Sequence, residues 1–160
     1  TVHSMTGDQN LHDAPHKDLR RARSAPVSII PTTTGAAKAL NDIFPELSGK
    51  LGGAGIRVPV INGSLTDITC ILTKSATVDS LNALFKEAAQ SSLKGILEYT
   101  EDPIVSIDIV GNMHSCIYDA QLTSVLGNMA KVVGWYDNEM GYSTRLYELV
   151  KLLQKKYPLN

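Results

Sequence analysis

A histidine at the end of a β-branched stretch, hydroxyls crowded before a helix start, clustered arginines and an aromatic–amide run are the groups with chemistry to offer. His3 follows Thr1-Val2, and an imidazole held at a strand end can take or give a proton near pH 7; the alternative is a histidine that serves only structure. Thr32-Thr33-Thr34-Gly35 sets hydroxyls beside the N–H groups and positive dipole end of a helix, which suits a phosphate and equally suits capping. Arg20, Arg21 and Arg23 share one stretch with Asp8, Asp13 and Asp18, which can pair with them inside it. Arg57 stands alone among apolar strand residues, where an unpartnered charge is costly. It needs a partner, either an internal carboxylate such as Asp67 or a bound phosphate. Trp135-Tyr136-Asp137-Asn138-Glu139-Met140-Gly141-Tyr142 leads from a strand into a helix with amide, carboxylate and phenol groups, a composition that core aromatics and helix caps also produce. Cys70 and Cys116 sit in alternating stretches and read as small buried thiols without a disulfide.

The elements that must position these groups follow from periodicity. Val78, Leu81, Leu84, Phe85 and Ala88 predict an amphipathic helix over 76–91, capped by Thr77 or Ser75. A helix over 35–44 ends at Pro45, and Leu146, Leu149, Val150 and Leu153 form one face of a last helix that begins near Asn138. Strands are expected at 1–4, at 28–30 with Pro31 as the stop, at 56–60 with Pro59 marking a bulge or edge, and at 64–73. Short runs at 96–99, 104–109, 115–119, 124–126 and 131–136 read as a meander. Residues 6–26 have no period and read as a long ordered loop. The sum is an α+β fold, a mixed, largely antiparallel sheet with helices on one face. No Gly-x-Gly-x-x-Gly follows a strand, so a dinucleotide-binding half is not expected within these residues.

At 160 residues, 43 % hydrophobic and 19 % charged, the chain has the composition of one ordinary globular domain, which excludes disorder and coiled coil. Its formal charge of −1 gives no global pull toward nucleic acid or anionic membrane, and charges break every apolar run before a bilayer-spanning length. A cytoplasmic protein is expected. Thr1 stands where a Met would start a gene, which reads as a piece of a larger protein.

In this order the segments closely resemble the C-terminal catalytic domain of phosphorylating glyceraldehyde-3-phosphate dehydrogenases, over essentially all of residues 1–160. The landmarks are Val2-His3-Ser4-Met5-Thr6-Gly7-Asp8-Gln9, Asp13-Ala14-Pro15-His16-Lys17-Asp18-Leu19-Arg20-Arg21-Ala22-Arg23 and Ile29-Ile30-Pro31-Thr32-Thr33-Thr34-Gly35-Ala36-Ala37-Lys38. Arg57-Val58-Pro59, Leu93-Lys94-Gly95-Ile96-Leu97 and Trp135-Tyr136-Asp137-Asn138-Glu139 complete the series. The resemblance implies that His3 is the general base of a catalytic thiol, assisting thiolate attack on the aldehyde and then hydride departure from the hemithioacetal. It also implies that Thr6 and Arg57 hold the substrate's phosphate, that Thr34 and Gly35 hold the attacking inorganic phosphate, and that Asn138 hydrogen-bonds the nicotinamide carboxamide with Tyr142 close by. Residues 6–23 correspond to the family's S-shaped loop at a tetramer core, and Pro15 stands where NAD-preferring members carry proline. No metal is implied. The family's nucleophile, in Ser-Cys-Thr-Thr-Asn-Cys upstream of the His3 position, has no counterpart here, and neither Cys70 nor Cys116 has its surroundings. The expectation is therefore a catalytic domain without its N-terminal NAD-binding domain, inactive alone and part of a homotetramer when complete. A non-catalytic interaction module of the same fold and an erythrose-4-phosphate dehydrogenase are the alternatives.

Overall fold

The computed structural model describes residues 1–33 and 35–158. Among them are eight strands and three α-helices: β1 (Val2–His3), β2 (Ile30–Thr32), α1 (Ala36–Ile43), β3 (Gly55–Arg57), β4 (Ser64–Ile71), α2 (Val78–Gln90), β5 (Leu97–Thr100), β6 (Cys116–Asp119), β7 (Ser124–Leu126), β8 (Met129–Tyr136) and α3 (Met140–Lys156). They form two compact units, Thr1–Ile61 and Asn62–Asn160. Within the two units four strand pairings are antiparallel and two parallel, so the expected mixed, largely antiparallel α+β architecture is the one that forms.

In the first unit β3 lies between β2 and β1. The β1–β3 pairing is parallel, with Val2 opposite Ile56 and His3 opposite Arg57. It is lengthened by bonds from the Thr1 ammonium to Ala54 O at 2.9 Å and from Val58 N to His3 O at 2.9 Å. Pro31 lies inside β2 rather than stopping it. A proline is tolerated there because β2 is the outermost strand of this unit, where a missing N–H need not break a ladder. The long loop is ordered by its own charges: Arg21 pairs with Asp8 at 2.6 Å and Asp18 at 3.4 Å, and Arg23 pairs with Asp13 at 3.1 Å. Ala25, 2 % exposed, anchors its end, with its N–H bonded to Asn10 O at 2.9 Å.

In the second unit β4 and β8 pair antiparallel over eight residues, from Ser64 opposite Tyr136 to Ile71 opposite Met129. A turn through Gly127, at φ 64°, joins β7 to β8 as a hairpin. The remainder is not the expected meander, because β5 and β6 pair parallel and β6 then meets β8. A parallel pair cannot be closed by a tight turn, and the connecting residues include 104–109, which fold as turns instead of a strand. The reason lies in burial: Ile109 is 1 % exposed, whereas Val105 and Ile107 face solvent. The Asp108 carboxylate takes the Val105 N–H at 2.7 Å, so backbone needs are met locally. Thr77 caps α2 through a reciprocal bond with Ser80, as expected for one of the two cap candidates. The apolar stripe of α2 puts Phe85, Ala88 and Ala89 against Leu97, Tyr118 and Ala120. Phe85 stacks on Tyr118 at 4.1 Å, and the Tyr118 hydroxyl bonds Asn82 and Thr123 at 2.8 and 2.5 Å. Leu146, Leu149 and Leu153 on α3 stay about half exposed. No helix among the described residues is long and apolar enough to cross a membrane.

Candidate active site

The β1–β3 register places His3 beside Arg57. His3 Nδ1 lies 2.8 Å from Ser4 O, so in the neutral ring that nitrogen carries the proton and Nε2 carries the lone pair. Burial, followed by the positive charges of Arg57 and the N-terminus, outweighs the Ser4 carbonyl and Asp8 and holds the imidazole below its ordinary value of 6.5. A neutral imidazole is the form a general base requires. Arg57 Nη1 is buried and has no hydrogen-bond acceptor among the described residues. Asp67, the internal partner considered for it, pairs instead with Lys131 at 2.8 Å. A buried guanidinium N–H without an acceptor is costly, and an anion would satisfy it.

Thr6 lies three residues beyond His3, its N–H donated to Gln9 Oε1 at 3.0 Å and its hydroxyl to Asp8. That hydroxyl bond, then burial, then the attraction of Arg21 and Arg57 set the Asp8 carboxyl, leaving it below the ordinary carboxylate value. Arg21 bridges Asp8 to Thr32, reaching Thr32 Oγ1 through Nε at 3.0 Å and Nη2 at 2.6 Å. The Thr32 hydroxyl is therefore spent on the loop, and Gly35, at the N-cap of α1, has no side chain to cap it with. Thr34, an expected phosphate ligand, lies outside the described residues. Gly35 stands at the start of α1 in helical geometry and accepts the Ala39 N–H at 2.9 Å, with open space where a Cβ would be. His3 and Arg57 thus lie within electrostatic reach of Asp8, which binds Thr6 and pairs with Arg21, one of the loop pairings the sequence offered.

Asn138 belongs to the second unit, at the corner between β8 and α3. Its Oδ1 accepts the Ser64 hydroxyl at 3.1 Å. The preceding Asp137, 3 % exposed, takes four donors: Asn62 Nδ2 at 3.0 Å, Gly111 N at 2.8 Å, and Glu139 N and Met140 N at 2.9 Å each. Burial pushes its carboxyl up, and those donors bring it below the ordinary value. They also cap α3, which starts at Met140 and not at Asn138. Tyr142, one turn on, is 72 % exposed. The sequence placed Ser64 only in a strand and Asp137 only in a run whose carboxylates could cap a helix; the four donors gathered on Asp137 come from elements it did not link. Both cysteines are free thiols; burial pushes Cys116 up to about 11, which leaves it a poor nucleophile at neutral pH.

Residues 1–138 match the family model described as glyceraldehyde 3-phosphate dehydrogenase, C-terminal domain. The chain is 59 % identical over 155 residues to the glyceraldehyde-3-phosphate dehydrogenase of Mycolicibacterium smegmatis and 56 % identical to that of Mycobacterium leprae, covering 97 % of this chain. Glyceraldehyde-3-phosphate dehydrogenase 1 of Streptomyces avermitilis is 56 % identical over 153 residues. The chain spans 46 % of the length of these relatives. The chain therefore belongs to the glyceraldehyde-3-phosphate dehydrogenase family, whose C-terminal domain it carries.

Proposed function

We propose that this chain is the substrate-handling half of a cytoplasmic, tetrameric enzyme that oxidises and phosphorylates D-glyceraldehyde 3-phosphate with NAD and inorganic phosphate. The observation that carries this reading is the buried Arg57 Nη1, without an acceptor among the described residues, opposite a neutral His3. Arg57 and Thr6 bind the substrate's phosphate, which meets the guanidinium's unsatisfied N–H and fixes the aldehyde end relative to the imidazole. His3 Nε2 accepts the proton of the attacking thiol and returns it as the reaction proceeds. Cys116 does not fill the role of that thiol, which is supplied from outside residues 1–160. Gly35, with Thr34, contributes to the site of the incoming inorganic phosphate at the start of α1.

The donor set at the second corner fits a nicotinamide: Asn138 is a primary amide, and amide meets carboxamide through complementary donor and acceptor. NAD, when bound, supplies the hydride acceptor; Asn138 orients its carboxamide, and Tyr142 flanks it. The reading is tested by steady-state kinetics of the full-length enzyme with Arg57→Leu. The expected result is a KM for glyceraldehyde 3-phosphate raised about 100-fold with the KM for NAD unchanged, as for loss of a charge-assisted pair. An unchanged aldehyde KM would remove Arg57 from the site.

A further inference from the structure

We propose that Gln9 is a positioning residue for the substrate's phosphate, acting through the main chain of Thr6; the inference rests on the reading that Thr6 contacts that phosphate. Thr6-Gly7-Asp8-Gln9 is a turn tied in both directions. The Gln9 N–H is donated to Thr6 O at 3.0 Å, and the Thr6 N–H is donated to Gln9 Oε1 at 3.0 Å. One residue thus meets both main-chain polar groups of Thr6.

A backbone N–H only donates, so the amide oxygen of Gln9, and not its NH2, must face Thr6. Gln9 Nε2 is buried with no acceptor among the described residues, so what the amide supplies over an apolar side chain is its oxygen. The place of that oxygen is held in turn. Gln9 is 8 % exposed, and the next residue is pinned to the buried end of the loop, Asn10 O accepting the Ala25 N–H at 2.9 Å. Thr6 needs such a hold because Gly7, with open space where a Cβ would stand, brings no restraint of its own to the turn. Threonine is stiff at χ1, so a fixed main chain gives a fixed Oγ1. The hydroxyl is donated to Asp8. An arriving phosphate oxygen competes with that carboxylate for a single proton, so the placing of Oγ1 decides how well it competes. Gln9 acts on Thr6 and not on the substrate, which makes its contribution one of placement.

The test measures kcat/KM of the full-length enzyme for D-glyceraldehyde 3-phosphate and for D-glyceraldehyde, the same aldehyde without its phosphate, in Gln9→Met, Thr6→Val and Gln9→Met/Thr6→Val variants. Gln9→Met keeps the length of the side chain without the amide oxygen; Gln9→Asn, whose amide stops one methylene short of Thr6, takes its place should methionine prevent folding. The ratio of the two substrates within one sample does not depend on how much of the enzyme is folded. Loss of one neutral hydrogen bond predicts that the Gln9 variant lowers the ratio about three- to tenfold and lowers it no further once Thr6 is valine. A fall shared equally by both substrates, no fall, or a further fall in the double variant overturns the inference, because a merely structural glutamine moves both substrates alike. If Thr6→Val itself leaves the ratio unchanged, the reading of Thr6 fails and takes this one with it; if Thr6→Val lowers the ratio and the Gln9 variant does not, only the role of Gln9 falls.

Discussion

The corner at His3 leaves Arg57 with a buried N–H that nothing among the described residues accepts, whereas the corner at Asn138 gives the Asp137 carboxylate four donors. Both are polar groups withdrawn from water, yet their energetic signs are opposite. An unmatched buried donor costs free energy until a ligand arrives, while a fully matched carboxylate stabilises the fold and offers little to a ligand. The first corner is built to be completed and the second to hold still. On the proposed function, the contrast also separates roles: capture of an anion and movement of a proton fall to the first corner, and contact with the cofactor's amide to the second.

Substitutions sharpen that contrast, beginning with the largest effect. His3→Gln in the full-length enzyme lowers kcat by about 10²- to 10⁴-fold, the usual worth of a general base, and leaves the unfolding midpoint at pH 8 near that of the parent. Because burial holds His3 below 6.5 in the folded chain, its neutral form favours folding; that stability is whole above pH 6.5 and is lost as pH falls through the folded value. Accordingly, the acid limb of kcat/KM lies below pH 6.5, and a pH–rate profile with its acid limb above that value would contradict the neutral imidazole. Asp137→Ala costs about 3 kcal/mol in urea unfolding, because several buried donors lose their acceptor together, and Asp137→Asn costs less. If Asp137→Ala unfolded at the same urea concentration as the parent, the second corner would not be the rigid one. Smallest is Gly134→Ala, whose new Cβ runs into Cys116 Sγ; it costs about 2 kcal/mol, and adding Cys116→Ala recovers much of that by removing the obstructing sulfur. Failure of the double variant to recover would place the strain elsewhere than at the thiol.

How far these corners were legible in the sequence depended on the range of the interactions. His3 and Arg57 stood out because imidazole and guanidinium are conspicuous among β-branched neighbours, and the carboxylates of the arginine-rich loop were legible as its internal partners because they lie within 13 positions of each other. The partner of Asp67 was not legible: Lys131 lies on β8, and nothing local says that β4 will pair with it. The same limit hid the parallel pairing of β5 with β6, since short apolar runs carry no sign of direction, and it made 104–109 look like a strand although only Ile109 has a place in the core. Ser64 and Asp137 were present as a strand residue and a cap. Their contacts, Ser64 with Asn138 and Asp137 with Asn62, arise only when β4 is laid against β8, 74 and 75 positions apart in sequence. The amphipathic helix α2 and its threonine cap, by contrast, depend on neighbours within one turn and were readable at once.

Pro31 inside β2 has a consequence for association. An outermost strand offers a row of backbone donors and acceptors to any extended chain, and a protein with such a row is exposed to strand-by-strand aggregation. β2 is short, and Pro31 supplies no N–H to it, so a second strand laid along β2 would lack one of the bonds it needs to stay in register. The residue that complicates reading this segment as a strand thus makes it a poor template for amyloid-like growth.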